Sequence, residues 1–207
     1  MLEKLPIQSL QERAFRYASQ QNEVDFLQSM GLDTQAVEEI VELLRARQEI
    51  DSLEMLLDKP FKPKHQLEKQ KLVTRYSDGS FPVFYSALER ETAKEEIQHH
   101  TKKYLTQHAT KPRTVYFLRF VCYFNGDGKD LRVKHTDWPW LTHDSDYSKC
   151  HDIAYEAVRE GLDGLLTPSA RRNSGTCLPV FKRTALSSPE SEEFVSFTFD
   201  PSTNQFI

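Results

Sequence analysis

Four kinds of side chain, spread along the chain, could do chemistry if the fold gathered them. Arg75 lies in Thr74-Arg75-Tyr76-Ser77-Asp78-Gly79-Ser80-Phe81, with Tyr85 and then Glu96 behind it. Ser169 lies far downstream in Thr167-Pro168-Ser169-Ala170-Arg171. Together they supply a cation, an aromatic face, a carboxylate and a hydroxyl. That inventory would hold a dinucleotide by its phosphates and break a glycosidic bond in it. A guanidinium is always charged and forks onto phosphate oxygens. An aromatic face at Tyr85 would stack on a flat ring, and a core tyrosine with a satisfied hydroxyl is the equal alternative. Glu96 borders the helical stripe of Ala93, Ile97 and His100, where a carboxylate is placed to stabilise a developing oxocarbenium cation. Glu95 and Glu96 cannot flank a sugar as a glycosidase pair, because adjacent helical residues point about 100° apart. Ser169 has no Gly-x-Ser-x-Gly elbow, so a hydrogen bond to substrate or a turn suits it better than nucleophilic attack. Arg171 and Arg172 add positive potential or lie on the surface. Arg16 joins the set only if residues 14–17 form a strand.

Other classes of function are set aside by composition. With 207 residues and a net charge of −4, the chain is one domain with no basic field for nucleic acid or an anionic membrane surface. No apolar run approaches a membrane span. The opening Met1-Leu2-Glu3-Lys4-Leu5-Pro6 lacks a signal peptide's apolar stretch, so a cytoplasmic location is expected. Cys122, Cys150 and Cys177 form no Cys-x-x-Cys pair and read as buried, inert thiols; no metal site is expected. The seven glycines make neither a Walker loop nor a dinucleotide-binding fingerprint, so side chains must hold any phosphates.

The elements that must position these residues follow from periodicity. Residues 8–28 open ambiguously, as a helix or as a short strand at 14–17. Asp33 or Thr34 caps a helix whose apolar residues recur at Val37, Ile40, Val41 and Leu44, resuming at Ile50, Leu53, Leu56 and Leu57. Pro60 and Pro63 end it, and a basic connector runs to about residue 71. Strand composition at 83–87 is followed by a helix over 89–104 with Ala93, Ile97, His100 and Tyr104 on one face. Residues 114–124 are apolar on both faces except Arg119, which predicts a central strand. Asn125-Gly126-Asp127-Gly128 predicts a turn. A second helix over 146–160 faces Cys150, Ile153, Ala154, Ala157 and Val158 inward, and Gly161 supplies a left-handed stop. Short strands follow at 165–166, 177–181 and 194–199. The sum is an α+β domain of five or six strands at 72–207, preceded by an α-helical N-terminal region and connector at 1–71.

Two blocks of sequence resemble a known family. Residues 75–87, Arg-Tyr-Ser-Asp-Gly-Ser-Phe-Pro-Val-Phe-Tyr-Ser-Ala, with Glu91-Thr92-Ala93-Lys94-Glu95-Glu96 and His99-His100, resemble the first block of RES domains. Asp146-Tyr147-Ser148, Cys150 and Gly161-Leu162-Asp163-Gly164-Leu165-Leu166-Thr167-Pro168-Ser169-Ala170-Arg171 resemble the second, and Gly175-Thr176-Cys177-Leu178-Pro179-Val180-Phe181 its closing strand. The resemblance spans roughly 72–207. A weaker match at Ala14-Phe15-Arg16 and at 53–60 would extend it over the whole chain, with the helix at 34–50 as an insertion.

The resemblance implies an ADP-ribosyltransferase-like fold, a split mixed β-sheet flanked by helices around an NAD cleft. It implies a bacterial toxin that consumes NAD by hydrolysis or phosphorolysis, or one that transfers ADP-ribose to a protein, encoded beside a helical antitoxin. An inactive interaction module on the same fold is the remaining alternative. NAD would be substrate, with no metal. By the same resemblance Arg75 and Arg16 would hold the phosphates, and Tyr85 would position the nicotinamide end. Glu96 would stabilise the oxocarbenium and Ser169 would bind substrate. Thr167 departs from the family, where an aromatic residue is common before Pro-Ser.

Overall fold

The computed structural model describes residues 1–20, 25, 28–33, 35–37, 39–40, 43, 53–62 and 73–207. The expected features at Thr34, Val41, Leu44 and Ile50, and the connector from 63 onward, lie outside the described residues. Seven strands form one mixed sheet: β1 (Gln8–Ser19), β2 (Phe84–Ala87), β3 (Arg113–Asp130), β4 (Gly164–Pro168), β5 (Thr176–Val180), β6 (Leu186–Asp200) and β7 (Gln205–Phe206). Among the described residues two long helices flank it, α1 (Arg90–His108) and α2 (Ser148–Arg159). The class is α+β, with one or two more strands than the sequence predicts.

β3 organises the sheet. Along one edge it pairs antiparallel with β1, from Gln8↔Gly128 to Ser19↔Phe117. Along the other it pairs first with β6 and then, past Phe124, in parallel with β4. The two partners leave the same edge of β3, and there the sheet splits. β4 continues through β5 to β2, and the single pair Phe15↔Ala87 joins β2 back to β1. Five strands thus close into a ring, with β6 and β7 as an extension.

Residues 8–19 are a strand throughout, which settles the ambiguous opening and corrects the α-helical reading for the first part of the N-terminal region. Gln11, Glu12, Arg13 and Ala14 suit a helix on propensity alone, but twelve residues of pairing with β3 override that preference. Helix follows later, at 25, 28–29, 35–37, 39–40, 43 and 53–58 among the described residues. Asp33 Oδ1 accepts the Ala36 N–H at 2.9 Å, a side-chain cap at the expected place.

The predicted turn at Asn125-Gly126-Asp127-Gly128 is instead the middle of β3's second half. These glycines allow close approach, not chain reversal. A Cβ on Gly126 would lie 2.6 Å from Asp163 Oδ2, and one on Gly128 would lie 2.7 Å from the Gly164 carbonyl oxygen. Tyr104 and Val158, expected on inward faces, are exposed. α1 instead buries Thr92, Ala93 and Leu105. Gly161 has the expected positive φ, 75°.

Three large apolar clusters, with a smaller one of Val37 and Tyr116, hold these layers among the described residues. Leu10, Ala14, Phe84, Phe120 and Phe124 form the first, closed by Leu53 and Leu57. Ile153, Ala154 and Ala157 of α2 pack with Leu165 in the second. Ala93 and Leu105 of α1 pack with Phe15, Phe117, Val121 and Phe199 in the third.

Candidate active site

The closing seam of the ring is a single residue pair wide, and a cavity of about 160 Å³ opens beside it. Phe15, Arg16 and Tyr17 line it from β1, and Tyr85, Ser86 and Ala87 from β2. Ala93, Glu96, Ile97 and His100 close it from α1, and Cys177 from β5.

Ser169 reaches Glu96 because the β4–β5 loop docks on the first turn of α1. Glu89 Oε2 accepts the Thr176 N–H at 2.9 Å and the Thr92 hydroxyl at 2.6 Å. Gly175 lies so close to Thr92 that a Cβ would sit 2.6 Å from its Oγ1 and 3.0 Å from its Cγ2. The loop is further closed by the Ser169 N–H donating to the Gly175 carbonyl at 2.8 Å. Ser169 Oγ accepts the N–H groups of Arg171 and Arg172, both at 3.1 Å. Its one proton therefore points to Glu96 Oε1, 2.6 Å away.

Glu96 Oε1 accepts a second, weaker bond from Cys177 Sγ at 3.5 Å. Burial, followed by the Glu96 charge, pushes the Cys177 thiol well above its usual range, so it stays protonated as donor. Among the described residues, Glu96 Oε2 has no hydrogen-bond partner. One carboxylate oxygen is thus fixed by two donors and the other is left for a ligand.

Tyr85 has the satisfied hydroxyl of a core tyrosine. It lines the cavity, and its hydroxyl donates to Thr74 Oγ1 at 2.6 Å while accepting the Tyr76 N–H at 3.0 Å; Thr74 in turn donates to the Ser77 carbonyl. Burial raises its pKa to about 12, so it remains neutral. Arg16 lies 4.4 Å from the Phe84 ring centroid and donates Nη1 to the Tyr85 carbonyl at 2.6 Å. Burial lowers its pKa to about 10, which leaves it charged at neutral pH. Burial also lowers the pKa of His100, Glu96 opposes that shift, and Arg171, Lys103 and Arg75 add to it.

Arg16, Tyr85 and Glu96 therefore share one cavity, with Ser169 bonded to Glu96 just behind it. Arg75 does not line it. Its Nη1 donates to the carbonyls of Leu141 (3.1 Å) and His143 (2.8 Å), and its guanidinium lies over the Tyr147 ring at 4.7 Å. Thr167 is fully buried and donates to the Cys177 carbonyl at 3.3 Å. Cys177 is the residue that sequence reasoning missed. It is expected to be inert, yet it is only partly buried and its thiol touches the carboxylate. Its place opposite Ala87, on β5 beside β2, is what brings it to the pocket.

A split mixed sheet carrying a carboxylate, a tyrosine and an arginine in one seam pocket defines an α+β protein with a polar-lined cleft. The model of the RES domain matches residues 43–200, and the chain belongs to that family. Among solved structures, the M. tuberculosis MbcT–MbcA toxin–antitoxin complex contains a chain similar to this one. The likeness covers 96% of this chain and 89% of that chain at 12% identity, with a TM-score of 0.47. No curated protein matches the sequence.

Proposed function

We propose that this chain is a toxin-type enzyme that cleaves the nicotinamide–ribose bond of NAD, as a glycohydrolase or phosphorylase. The observation that carries this reading is the Ser169–Glu96 bond of 2.6 Å, which presents one carboxylate at the wall of a ring-sized cavity. A pocket of about 160 Å³ is smaller than the roughly 300 Å³ at which sites for drug-sized ligands begin. It suits the nicotinamide-ribose end of a dinucleotide and leaves the remainder outside.

In this mechanism the nicotinamide ring enters between Phe15 and Tyr85. The bond from ribose C1′ to the ring nitrogen breaks, and its electron pair leaves with nicotinamide. Positive charge develops on C1′ and the ring oxygen, beside the free Glu96 oxygen. A fixed carboxylate in a water-poor cleft stabilises that charge without reorganising. Water or phosphate then adds to C1′, losing a proton if water is the nucleophile. Arg16 is held in place as a permanent cation at the pocket wall, while Arg75 braces the 141–143 segment and adds positive potential. Capture by a protein side chain instead of water would make the same pocket an ADP-ribosyltransferase. A helical antitoxin covering the cleft follows from the same family reading.

Glu96→Gln keeps the shape and removes the charge. It is expected to lower nicotinamide release by at least about 100-fold with little change in melting temperature. Turnover equal to the unmodified protein would remove Glu96 from the mechanism.

A further inference from the structure

We infer that the diphosphate of the dinucleotide is seated by the Arg171 guanidinium, and that the Asp144 carboxylate holds that seat until substrate displaces it. This rests on the NAD reading above and assigns the part of the substrate that the seam cavity is too small to enclose.

Four arginines stand near the Ser169–Glu96 pair, and they differ in what holds them; Arg172, its side chain 38% exposed, is paired with Glu95 at 3.2 Å on the outer side. Arg16 is bound to the Tyr85 carbonyl, and Arg75 to the carbonyls of Leu141 and His143. Withdrawing either head to meet a phosphate would strip a backbone acceptor of its donor, an unfavourable exchange wherever the acceptor is buried. Arg171 is held differently. Its Nη1 meets Asp144 Oδ1 at 2.5 Å, and the Asp144 side chain is 82% exposed while that of Arg171 is 11% exposed. A released Asp144 carboxylate is simply solvated. Exchange at Arg171 therefore swaps one anionic acceptor for another and orphans nothing.

The present pairing is also incomplete. Arg171 Nε is buried and has no hydrogen-bond partner among the described residues. An uncompensated buried donor is a standing cost, and a carboxylate engaged through Nη1 does not relieve it. A diphosphate offers more oxygens and more charge to a guanidinium that turns towards it.

Position supports the assignment. The Arg171 N–H donates to Ser169 Oγ, whose proton goes to Glu96, so the seat is fixed relative to the carboxylate. Arg171 depresses the pKa of both His99 and His100, in each case behind burial, and His100 is a wall of the cavity. A cation reaches the pocket's edge from a residue that does not line it.

Calorimetric titration of the full chain with inorganic pyrophosphate at low salt tests this without requiring turnover. R171Q should bind at least about 10-fold more weakly, the loss expected for charged hydrogen bonds, while R159Q, which removes an equal charge from α2, should match the unmodified protein. D144N removes the competing carboxylate and should tighten binding several-fold. Equal binding by R171Q, or no tightening in D144N, overturns the proposal. Should R171Q fail to fold, D144N alone decides. Orthophosphate bound at Arg171 as tightly as pyrophosphate would make the seat one for a free phosphate co-substrate and would also overturn it. With substrates, R171Q should raise KM for NAD about 10-fold at similar kcat and leave cleavage of nicotinamide riboside, which has no phosphate, unchanged; a merely structural role would impair both alike. Failure of the unmodified protein to cleave NAD would refute the catalytic reading and leave the pyrophosphate result standing on its own.

Discussion

The division of labour at Glu96 is the feature on which the chemistry turns. Two donors, a hydroxyl and a thiol, hold one oxygen and leave the other. Cys177 then acts as a positioning residue, and its substitutions should grade with donor strength. Cys177→Ser, a shorter and better donor, should retain activity, whereas Cys177→Val should lower kcat about 10-fold, in line with a 1 Å misplacement costing up to about 100-fold. Equal activity in both variants would show that the thiol contact is incidental. Arg75, Tyr85, Glu96 and Ser169 were all legible as candidates because their residue types match the chemistry and their order resembles a family. Cys177 was not. A thiol carries no chemical signal until the carboxylate beside it, remote in sequence, is known. Arg75 was legible as a cation, but its tie to two carbonyls depends on a segment whose path no local pattern predicts.

At the scale of elements, the site depends on how closely one loop lies on one helix turn. Gly175 meets Thr92 where any side chain would collide. Gly175→Ala should push the β4–β5 loop off α1, lengthen the Ser169–Glu96 contact and lower kcat by about 10-fold or more. Adding Thr92→Ala removes both colliding atoms and should recover most of the loss. No recovery in the double variant would place the defect elsewhere. Parts of β2 to β6 and both long helices were readable from period and composition, and 114–124 read correctly as central because both of its faces are apolar. The misreadings share a cause. Polar residues at 8–13 and glycines at 125–128 follow local preferences for helix and turn, but long pairing between β1 and β3 decides both segments. Tertiary pairing is invisible to a window that sees one strand.

For the molecule as a whole, one carboxylate ties four elements together. Glu192 of β6 binds Arg13 of β1, Arg90 of α1 and Arg119 of β3. Its hydrogen bond from Arg90, with Arg119 behind, holds its pKa below the ordinary value. A carboxylate depressed in the folded state contributes stability that is present above its unfolded pKa of about 4.3. That stability is lost as pH falls through the folded value. The unmodified protein should therefore lose melting temperature below about pH 4.3, and Glu192→Gln should show a shallower decline from a lower starting point. At neutral pH the substitution should cost about 1–2 kcal/mol, limited by the exposure of Arg13 and Arg90. That corresponds to a fall of roughly 2–8 °C for a chain of this size. Parallel pH profiles for the two proteins would show that Glu192 is not the titrating tie.

The central claim is that the seam pocket breaks the nicotinamide–ribose bond. Purified protein should be incubated with NAD, with and without inorganic phosphate, and the products resolved by chromatography. Released nicotinamide is expected, with free ADP-ribose if water captures the ribosyl cation and its 1″-phosphate if phosphate does, and all of it lowered at least about 100-fold in Glu96→Gln. Intact NAD under both conditions, or release that persists undiminished in Glu96→Gln, would contradict it.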